Sequence, residues 1–322
     1  MTWWISRMKK TKQYNITQCA LYKCKSKKRL ATLLQIDYSY LIEQNFISYR
    51  TFLQTKKGSY EKRVITAPNN ELKRVQRRIL QLLQPVMRPP WLISSQKEKS
   101  YIDNGKAHIN AIYALTLDIQ KFYDNCSREY VYQFFLRKLK TSPDVAKILA
   151  DIVIYEGCIP TGSPTGQILA YYAYEDMFNE IATTTKAFGG TFTLFVDDTT
   201  TSSTTPFDPK KVASEIDIIL RKYGHKPKYK KVRYFGKNKA KPVTGTIITS
   251  NNALEVPNSL QAKIYEGFQK LKESDNTPQL NAQLSKELSV LVGQAQAAQN
   301  INPKKFREIH RITRQRQKEI NG

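Results

Sequence analysis

Acidic residues are scarce in this chain of 322 residues: 27 Asp and Glu stand against 52 Lys and Arg, for a formal net charge of +25. A surplus that large, spread along most of the chain, argues against cationic partners and for a polyanion. Histidine is scarcer still, and the three present are too scattered for a zinc site. The four cysteines, Cys19, Cys24, Cys126 and Cys158, show neither metal-ligand spacing nor a disulfide framework. Reduced thiols and a cytosolic location are therefore expected. No run of about 18 apolar residues occurs, so no membrane span is expected. The apolar stretch in the opening MTWWISRMKK is too short for a signal peptide. No basic amphipathic helix with a bulky apolar face stands out, which turns the search for a polyanion away from acidic membranes. Internal repeats and long low-complexity segments are absent as well.

What is present suffices for a folded protein of two or three packed units, with 40% hydrophobic residues to build a core. The Leu30, Leu33, Leu34, Tyr38 and Leu41 spacing predicts a helix over 30–44, at the end of a basic segment, 1–44. YRTFLQTKKGSYEKRVITAP reads as a strand pair turning at Lys57-Gly58-Ser59. Leu72, Val75, Ile79, Leu82, Leu83 and Val86 mark one face of a helix over 70–86, with Lys73, Arg74, Arg77 and Arg78 as a basic stripe beside it. A buried strand ends at Asp118. Ser142-Pro143 starts a helix, and a Gly/Pro loop, IPTGSPTG, runs into a long helix. Asp208-Pro209 starts another, stopped by Gly224. Lys226–Lys241 reads as a basic hairpin, PVTGTIITSNNALEVP as short strands, and 259–322 as mostly helical. This pattern predicts an α+β fold with a helical C-terminal part.

The stretch FTLFVDDTTT places Asp197 and Asp198 side by side between two strand-like runs. A hairpin tip holds two carboxylates close together, and a strand ending in Asp118 could lie alongside and add a third. Three carboxylates without histidine or cysteine form an oxygen-only ligand set, which suits Mg²⁺. Two such ions can hold the attacking and leaving oxygens of an in-line phosphoryl displacement.

The remaining motifs resemble those of reverse transcriptases, over roughly 50–250. RVITAPNNELKRVQRRI matches the pattern R-x-I-x-x-P-x-x-x-L-K-x-x-Q through Arg63, Ile65, Pro68, Leu72, Lys73 and Gln76. LTLDIQKFYD resembles the first catalytic strand, IPTGSPTG the nucleotide-positioning loop, FVDD the family's usual YADD, and GHKPKYKK a basic motif that follows. Asn104–His108 (NGKAH) and Val243–Gly245 (VTG) resemble two motifs of bacterial retron enzymes, the first with Gly105 where those carry Ala. Phe195 replaces the usual Tyr, Thr161 the usual Gln, and Gln167 the usual Pro. These departures bear on nucleotide selectivity and leave all three carboxylates in place.

The resemblance implies a right-hand polymerase: fingers and palm over 45–250, and a thumb over 251–322. It implies an RNA-directed DNA polymerase in which Asp118, Asp197 and Asp198 bind two Mg²⁺ ions. Lys230, or equally Lys231, would protonate the leaving pyrophosphate. Arg63 and Lys62 would reach the triphosphate. Tyr123 would wall the sugar and favour dNTPs, and Thr161 and Gly162 would lie along the nucleotide. RNA would meet Lys73, Arg74, Arg77, Arg78, Asn104, His108, Val243, Thr244 and Gly245. It would also meet Lys304, Arg307, Arg311 and Arg314 of a last basic helix that carries Lys305 and Arg316 as well. The subgroup further implies a cognate structured noncoding RNA, priming from an RNA 2′-hydroxyl, a branched RNA–DNA product and antiphage defence in the bacterial cytoplasm, with a separate effector protein and no membrane. Alternatives are a group II intron-like reverse transcriptase and a catalytically idle RNA-binding scaffold. The NGKAH and VTG motifs argue against the first, and the intact aspartates against the second.

Overall fold

The computed structural model describes residues 13–55, 62–274 and 282–321. Two helices, α1 (Lys27–Leu34) and α2 (Tyr38–Glu43), stand where the apolar spacing predicts one. Gln35 turns left-handed at φ 60° and donates its N–H to the Ala31 and Thr32 carbonyls, ending α1. Leu30, Leu34 and Leu41 are nevertheless all buried, so the break alters the backbone and spares the apolar face. Strands β1 (Tyr49–Thr55) and β2 (Lys62–Pro68) pair antiparallel, from Tyr49 opposite Pro68 to Thr55 opposite Lys62. The turn expected at Lys57-Gly58-Ser59 lies outside the described residues. In α3 (Asn70–Leu83), the Asn69 side chain accepts from the Leu72 N–H at 2.8 Å. Leu72, Val75, Ile79 and Leu83 are buried there, each side chain contributing roughly 1.5–3 kcal/mol.

The chain continues through α4 (Tyr101–Ala107), β3 (Tyr113–Asp118), α5 (Arg128–Gln133), α6 (Pro143–Val153), α7 (Gly166–Ala173) and α8 (Glu175–Ala187). Next come β4 (Thr191–Phe195), β5 (Asp198–Ser203), α9 (Pro209–Lys222), β6 (Arg233–Phe235), β7 (Lys241–Val243), β8 (Thr246–Ile248) and β9 (Leu254–Glu255). The helices α10 (Asn258–Ser274), α11 (Ala282–Ile301) and α12 (Arg307–Asn321) complete it. Ser142 stands at the N-cap of α6 without capping it, because its hydroxyl donates to Asp144. Asp208 does cap α9, accepting from Lys210 N at 2.9 Å and Lys211 N at 3.2 Å. The long helix expected after IPTGSPTG breaks at Tyr174. Its buried hydroxyl donates to the Asn125 carbonyl and accepts from the Ser127 N–H, both at 3.0 Å.

The fold is α+β, divided into two compact units. One comprises the described parts of Met1–Lys97, with Ile119–Thr183 and Glu215–Pro227. Its internal joint is Gln76, fully buried, whose Nε2 donates to the Ile152 carbonyl and to the Tyr49 hydroxyl, both at 2.8 Å. His225 packs there against Phe122 and Tyr174, at ring-centroid distances of 5.3 and 4.5 Å. Neither of its ring nitrogens has a hydrogen-bond partner among the described residues. The other unit comprises Glu98–Asp118, Thr184–Ser214 and Lys228–Gly322. It holds a four-stranded antiparallel sheet in the order β4-β5-β3-β6, a three-stranded sheet β7-β8-β9, and the helices α10–α12. Ile264, Leu271, Leu288, Leu291 and Ala298 form the core of those helices, joined by Ile102 of α4 and by Val256. The expected Lys226–Lys241 hairpin does not form: β6 takes the open edge of β3, whereas β7 pairs with β8, in another sheet.

Helix α4 lies against β8 so closely that a Cβ at Gly105 would sit 2.3 Å from Thr246 Oγ1 and 2.8 Å from Leu254 Cδ2. Thr246 cannot turn away freely, because that hydroxyl donates to the Val243 carbonyl at 2.8 Å. This explains why glycine stands where the resembling motif has alanine. Gly105→Ala should destabilise the protein by about 1–3 kcal/mol, measured by urea unfolding. Adding Thr246→Ala should return part of the loss.

Burial holds the His225 imidazole at about 4, well below an ordinary histidine. In the unfolded chain it titrates near 6.5, so between these values only the unfolded chain gains the proton. Stability from this residue is therefore complete above about 6.5 and declines as pH falls toward 4, by roughly 3 kcal/mol in all. Urea unfolding at pH 7 and 4.5 should show a smaller acid loss for His225→Leu than for the parent chain. Equal losses would contradict this account.

Candidate active site

The β4–β5 hairpin closes in two residues, with Phe195 opposite Asp198 and only Val196 and Asp197 in the loop. Val196 is left-handed at φ 62°, a conformation that costs a β-branched residue on the order of 1–3 kcal/mol. The strained residue thus directly precedes the paired carboxylates. Strand β3 lies antiparallel along β5 and sets Asp118 opposite Asp198. Because side chains alternate along a strand, Asp118, Thr116, Asp198 and Thr200 share one face of the sheet. The polar run Thr199–Ser203 is buried, and hydroxyls in it find partners: Thr199 Oγ1 donates to the Leu117 carbonyl at 3.1 Å, and Thr201 meets Thr185 at 3.1 Å.

The carboxylates work against one another. Burial, then the negative charges of Asp198 and Asp118, push the Asp197 carboxyl up to about 6. Burial and Asp118 raise Asp198 in the same way. One cation offsets them: Lys231 Nζ forms an ion pair with Asp118 Oδ2. Its turn is held in place because Lys228 N donates to the Asp118 carbonyl at 2.7 Å. The hydrogen bond to Asp118 raises the Lys231 ammonium above the ordinary lysine value. Lys230 is exposed and has no ion-pair partner among the described residues. Asp118, Asp198 and Lys231 line a cavity together with Arg233, Thr244 and Gly245. Three carboxylates against one contacting ammonium, all donors being oxygen, match a hard divalent cation in charge and donor type. Among the described residues, however, no three His, Cys, Asp or Glu side chains converge as a preformed metal cluster.

The residues expected along the nucleotide belong to the other unit. Thr161 Oγ1 accepts from Thr66 N at 3.2 Å, and Gly162 N donates to the Thr66 carbonyl at 2.8 Å, docking the Gly/Pro loop on β2. A Cβ on Gly162 would lie 2.8 Å from that carbonyl, so the close approach this glycine permits is to β2 itself. Ser163 Oγ donates to Gln76 Oε1 at 3.0 Å, and Ser95 Oγ donates to Gln167 Oε1 at 2.9 Å. Gln167 therefore has a local structural use. Tyr123 is half-buried beside Gly166. At the exposed start of β2, Arg63 donates to Gln54 at 3.0 Å and Lys62 opens the strand.

Of the residues expected to meet RNA, several are turned inward. Asn104 and His108 are buried, at 0% and 1% exposure, and Val243 at 0%. The side chains expected to touch RNA are thus enclosed by the protein, with Asn104 Oδ1 left without a hydrogen-bond partner among the described residues. Asn104 Nδ2 donates to Thr244 Oγ1 at 2.8 Å, and His108 bonds Ser202 Oγ and Thr193 Oγ1, both at 2.7 Å. On α3, Arg74 and Arg77 are exposed and Lys73 is half-buried, while Arg78 Nε donates to the Leu33 carbonyl at 2.9 Å and so ties α3 to α1. Lys304, Arg307, His310, Arg311, Arg314 and Lys318 line one groove, with Arg311 paired to Glu308. Lys305 instead reaches Glu255 at 3.7 Å. Sequence reasoning left Lys230 and Lys231 equal and gave no role to Thr193 and Ser202. The strand pairing, with both hydroxyls on one face, is the signal that locates them.

Among solved structures, an apo telomerase from Candida tropicalis, truncated from its C-terminal domain, superimposes with a TM-score of 0.50. It is 12% identical and covers 66% of this chain and 55% of its own, a likeness that bears on the fold alone. The Retron Ec86 reverse transcriptase of Escherichia coli is 26% identical over 225 residues, 68% of this chain and 70% of that protein. The Retron Se72 reverse transcriptase of Salmonella heidelberg is 23% identical over 195 residues, 59% of this chain and 51% of that protein. Residues 54–248, more than half of the chain, match the family described as reverse transcriptase (RNA-dependent DNA polymerase). With Asp118 aligned against Asp198 at the tip of the β4–β5 hairpin, the chain belongs to the reverse transcriptase family.

Proposed function

We propose that this polymerase is a retron enzyme: it copies part of its own structured noncoding RNA into DNA, primed from an RNA 2′-hydroxyl, giving a branched RNA–DNA hybrid. The observation that carries the chemistry is the gathering of Asp118, Asp197 and Asp198 by two strand pairings, with a lysine against them. The subgroup rests on the retron relatives and on the NGKAH and VTG motifs. In this reading 45–250 form fingers and palm and 251–322 the thumb. The product serves antiphage defence with a separate effector protein in the bacterial cytoplasm. No helix among the described residues is long and apolar enough to cross a membrane.

Asp118 and Asp197 bind the metal, with Asp198 in support; two Mg²⁺ ions there would lower the pKa of the priming hydroxyl and neutralise triphosphate charge. Lys231 holds Asp118 in place and keeps its proton, and we assign it, rather than Lys230, as the donor to the leaving pyrophosphate. Arg63 and Lys62 bind the triphosphate, for which a guanidinium fork and a point cation suit. Tyr123 walls the sugar and favours dNTPs. Thr161 and Gly162 hold the nucleotide loop on β2. Template RNA is bound through phosphates by Lys73, Arg74 and Arg77, and by the Lys304, Arg307, Arg311 and Arg314 groove.

The chain co-expressed with the RNA encoded beside its gene should yield a small DNA that stays joined to RNA until debranching. DNA made only from an added primer would keep the polymerase and remove the retron reading. Asp197→Asn with Asp198→Asn should lower DNA synthesis by at least about a hundredfold, the equivalent of the several kcal/mol that metal-held charge supplies. RNA affinity should fall steeply with salt. Arg307→Ala and Arg314→Ala should each reduce the log–log salt slope by about one, read from filter binding between 50 and 200 mM salt. An unchanged slope would remove α12 from the interface.

A further inference from the structure

The NGKAH segment accounts for a retron-like pattern in the sequence, yet its histidine and asparagine face the interior of their own unit. His108 sits at the end of α4, over the β4–β5 hairpin. One ring nitrogen is 2.7 Å from Ser202 Oγ on β5, and the other is 2.7 Å from Thr193 Oγ1 on β4. Thr193 pairs with Thr200 and Ser202 with Thr191, so the two hydroxyls are diagonal neighbours on one face of the hairpin. By strand alternation it is also the face of Asp198. A one-residue slip of β5 against β4 would turn Ser202 away from the imidazole and carry Asp198 to the opposite face. The same helix holds Thr244 through Asn104, and Thr244 lines the cavity that contains Asp118, Asp198 and Lys231.

We infer that His108 is a positioning residue for catalysis: as a neutral imidazole bridging Thr193 and Ser202, it locks the register of the hairpin that presents Asp197 and Asp198. A neutral ring donates from one nitrogen and accepts at the other, so it matches two hydroxyls, and a protonated ring would offer donors only. Burial favours that neutral form by lowering the imidazole to about 4. The carboxylates repel one another, so a hairpin held by backbone pairing alone has reason to splay. A rigid bridge away from the tip resists this without placing another group in the cavity. Ser202 and Thr193 lack an obvious use otherwise, being buried hydroxyls in strands where valine would pack as well.

The inference rests on the metal-dependent polymerase reading, and its test separates the two. Thr193→Val and Ser202→Ala each remove one hydroxyl and should leave the fold intact. His108→Leu removes the bridge, and His108→Gln keeps a donor and an acceptor on one side chain. Mn²⁺ binding is measured by electron paramagnetic resonance without nucleic acid, against an Asp197→Asn, Asp198→Asn baseline. Primer extension then gives kcat and KM for dNTP. Thr193→Val, Ser202→Ala and His108→Leu should each weaken Mn²⁺ binding by about fivefold, the equivalent of one buried hydrogen bond, and lower kcat with KM unchanged. His108→Gln should recover part of both. Variants that melt earlier but keep the parent's Mn²⁺ affinity and kcat would show a purely structural bridge and overturn the inference. A parent chain that binds Mn²⁺ but copies no RNA would instead sink the polymerase reading, while the Mn²⁺ series still decides the role of His108.

Discussion

Mutual repulsion among Asp118, Asp197 and Asp198 is the constraint around which the second unit is arranged. Each carboxylate is drawn away from water, and each feels the others, which is why Asp197 and Asp198 hold their protons more tightly than exposed carboxyls do. A flexible loop would relieve the repulsion by separating them. Here a two-residue hairpin with a left-handed valine prevents that, and β3 fixes the third carboxylate opposite the second. The Lys231 ammonium offsets only part of the charge. In charge and donor type, such an excess of negative charge suits a divalent cation.

The positive charge of the chain is divided between tasks. Lys231 serves the carboxylates, Arg78 and Lys305 serve the fold, and the groove along α12 faces outward. Net charge alone therefore overstates the surface available to a nucleic acid. A set of cations at helical spacing with few acids among them is what suits a polyanion, and on α12 Arg311 is paired with Glu308.

Motif residues divide in the same way. The aspartates and Lys231 meet as charges, whereas Gln76, Asn104, Gly105, His108 and Gly162 hold elements together through buried hydrogen bonds or close backbone approach. Their side chains are as specific as catalytic ones, because an imidazole or an amide that loses a buried partner leaves a desolvated polar group behind. A pattern of fixed residues in this fold thus reports positioning as much as chemistry, and Gly105 shows why: its neighbours Thr246 and Leu254 occupy the space of a methyl group.

Local chemistry was enough to read the strand ending at Asp118, the apolar strand before the paired aspartates (expected through Val196, ending at Phe195), the apolar face of α3, the cap at Asp208, and the carboxylates themselves. Each of these depends on residues close together in the chain: alternation, helical spacing, a side chain beside its own backbone. The sequence also determined the excess of positive charge and the oxygen-only donor set. Tertiary structure decided what depends on partners far away. It split the first helix at Gln35, broke the α7–α8 stretch where Tyr174 anchors to Asn125 and Ser127, and sent β6 and β7 to different sheets. It set Lys231, not Lys230, against Asp118 and turned Asn104 and His108 inward. These outcomes follow from which open strand edge or buried hydroxyl a segment meets once folded, and spacing along the chain carries no record of that.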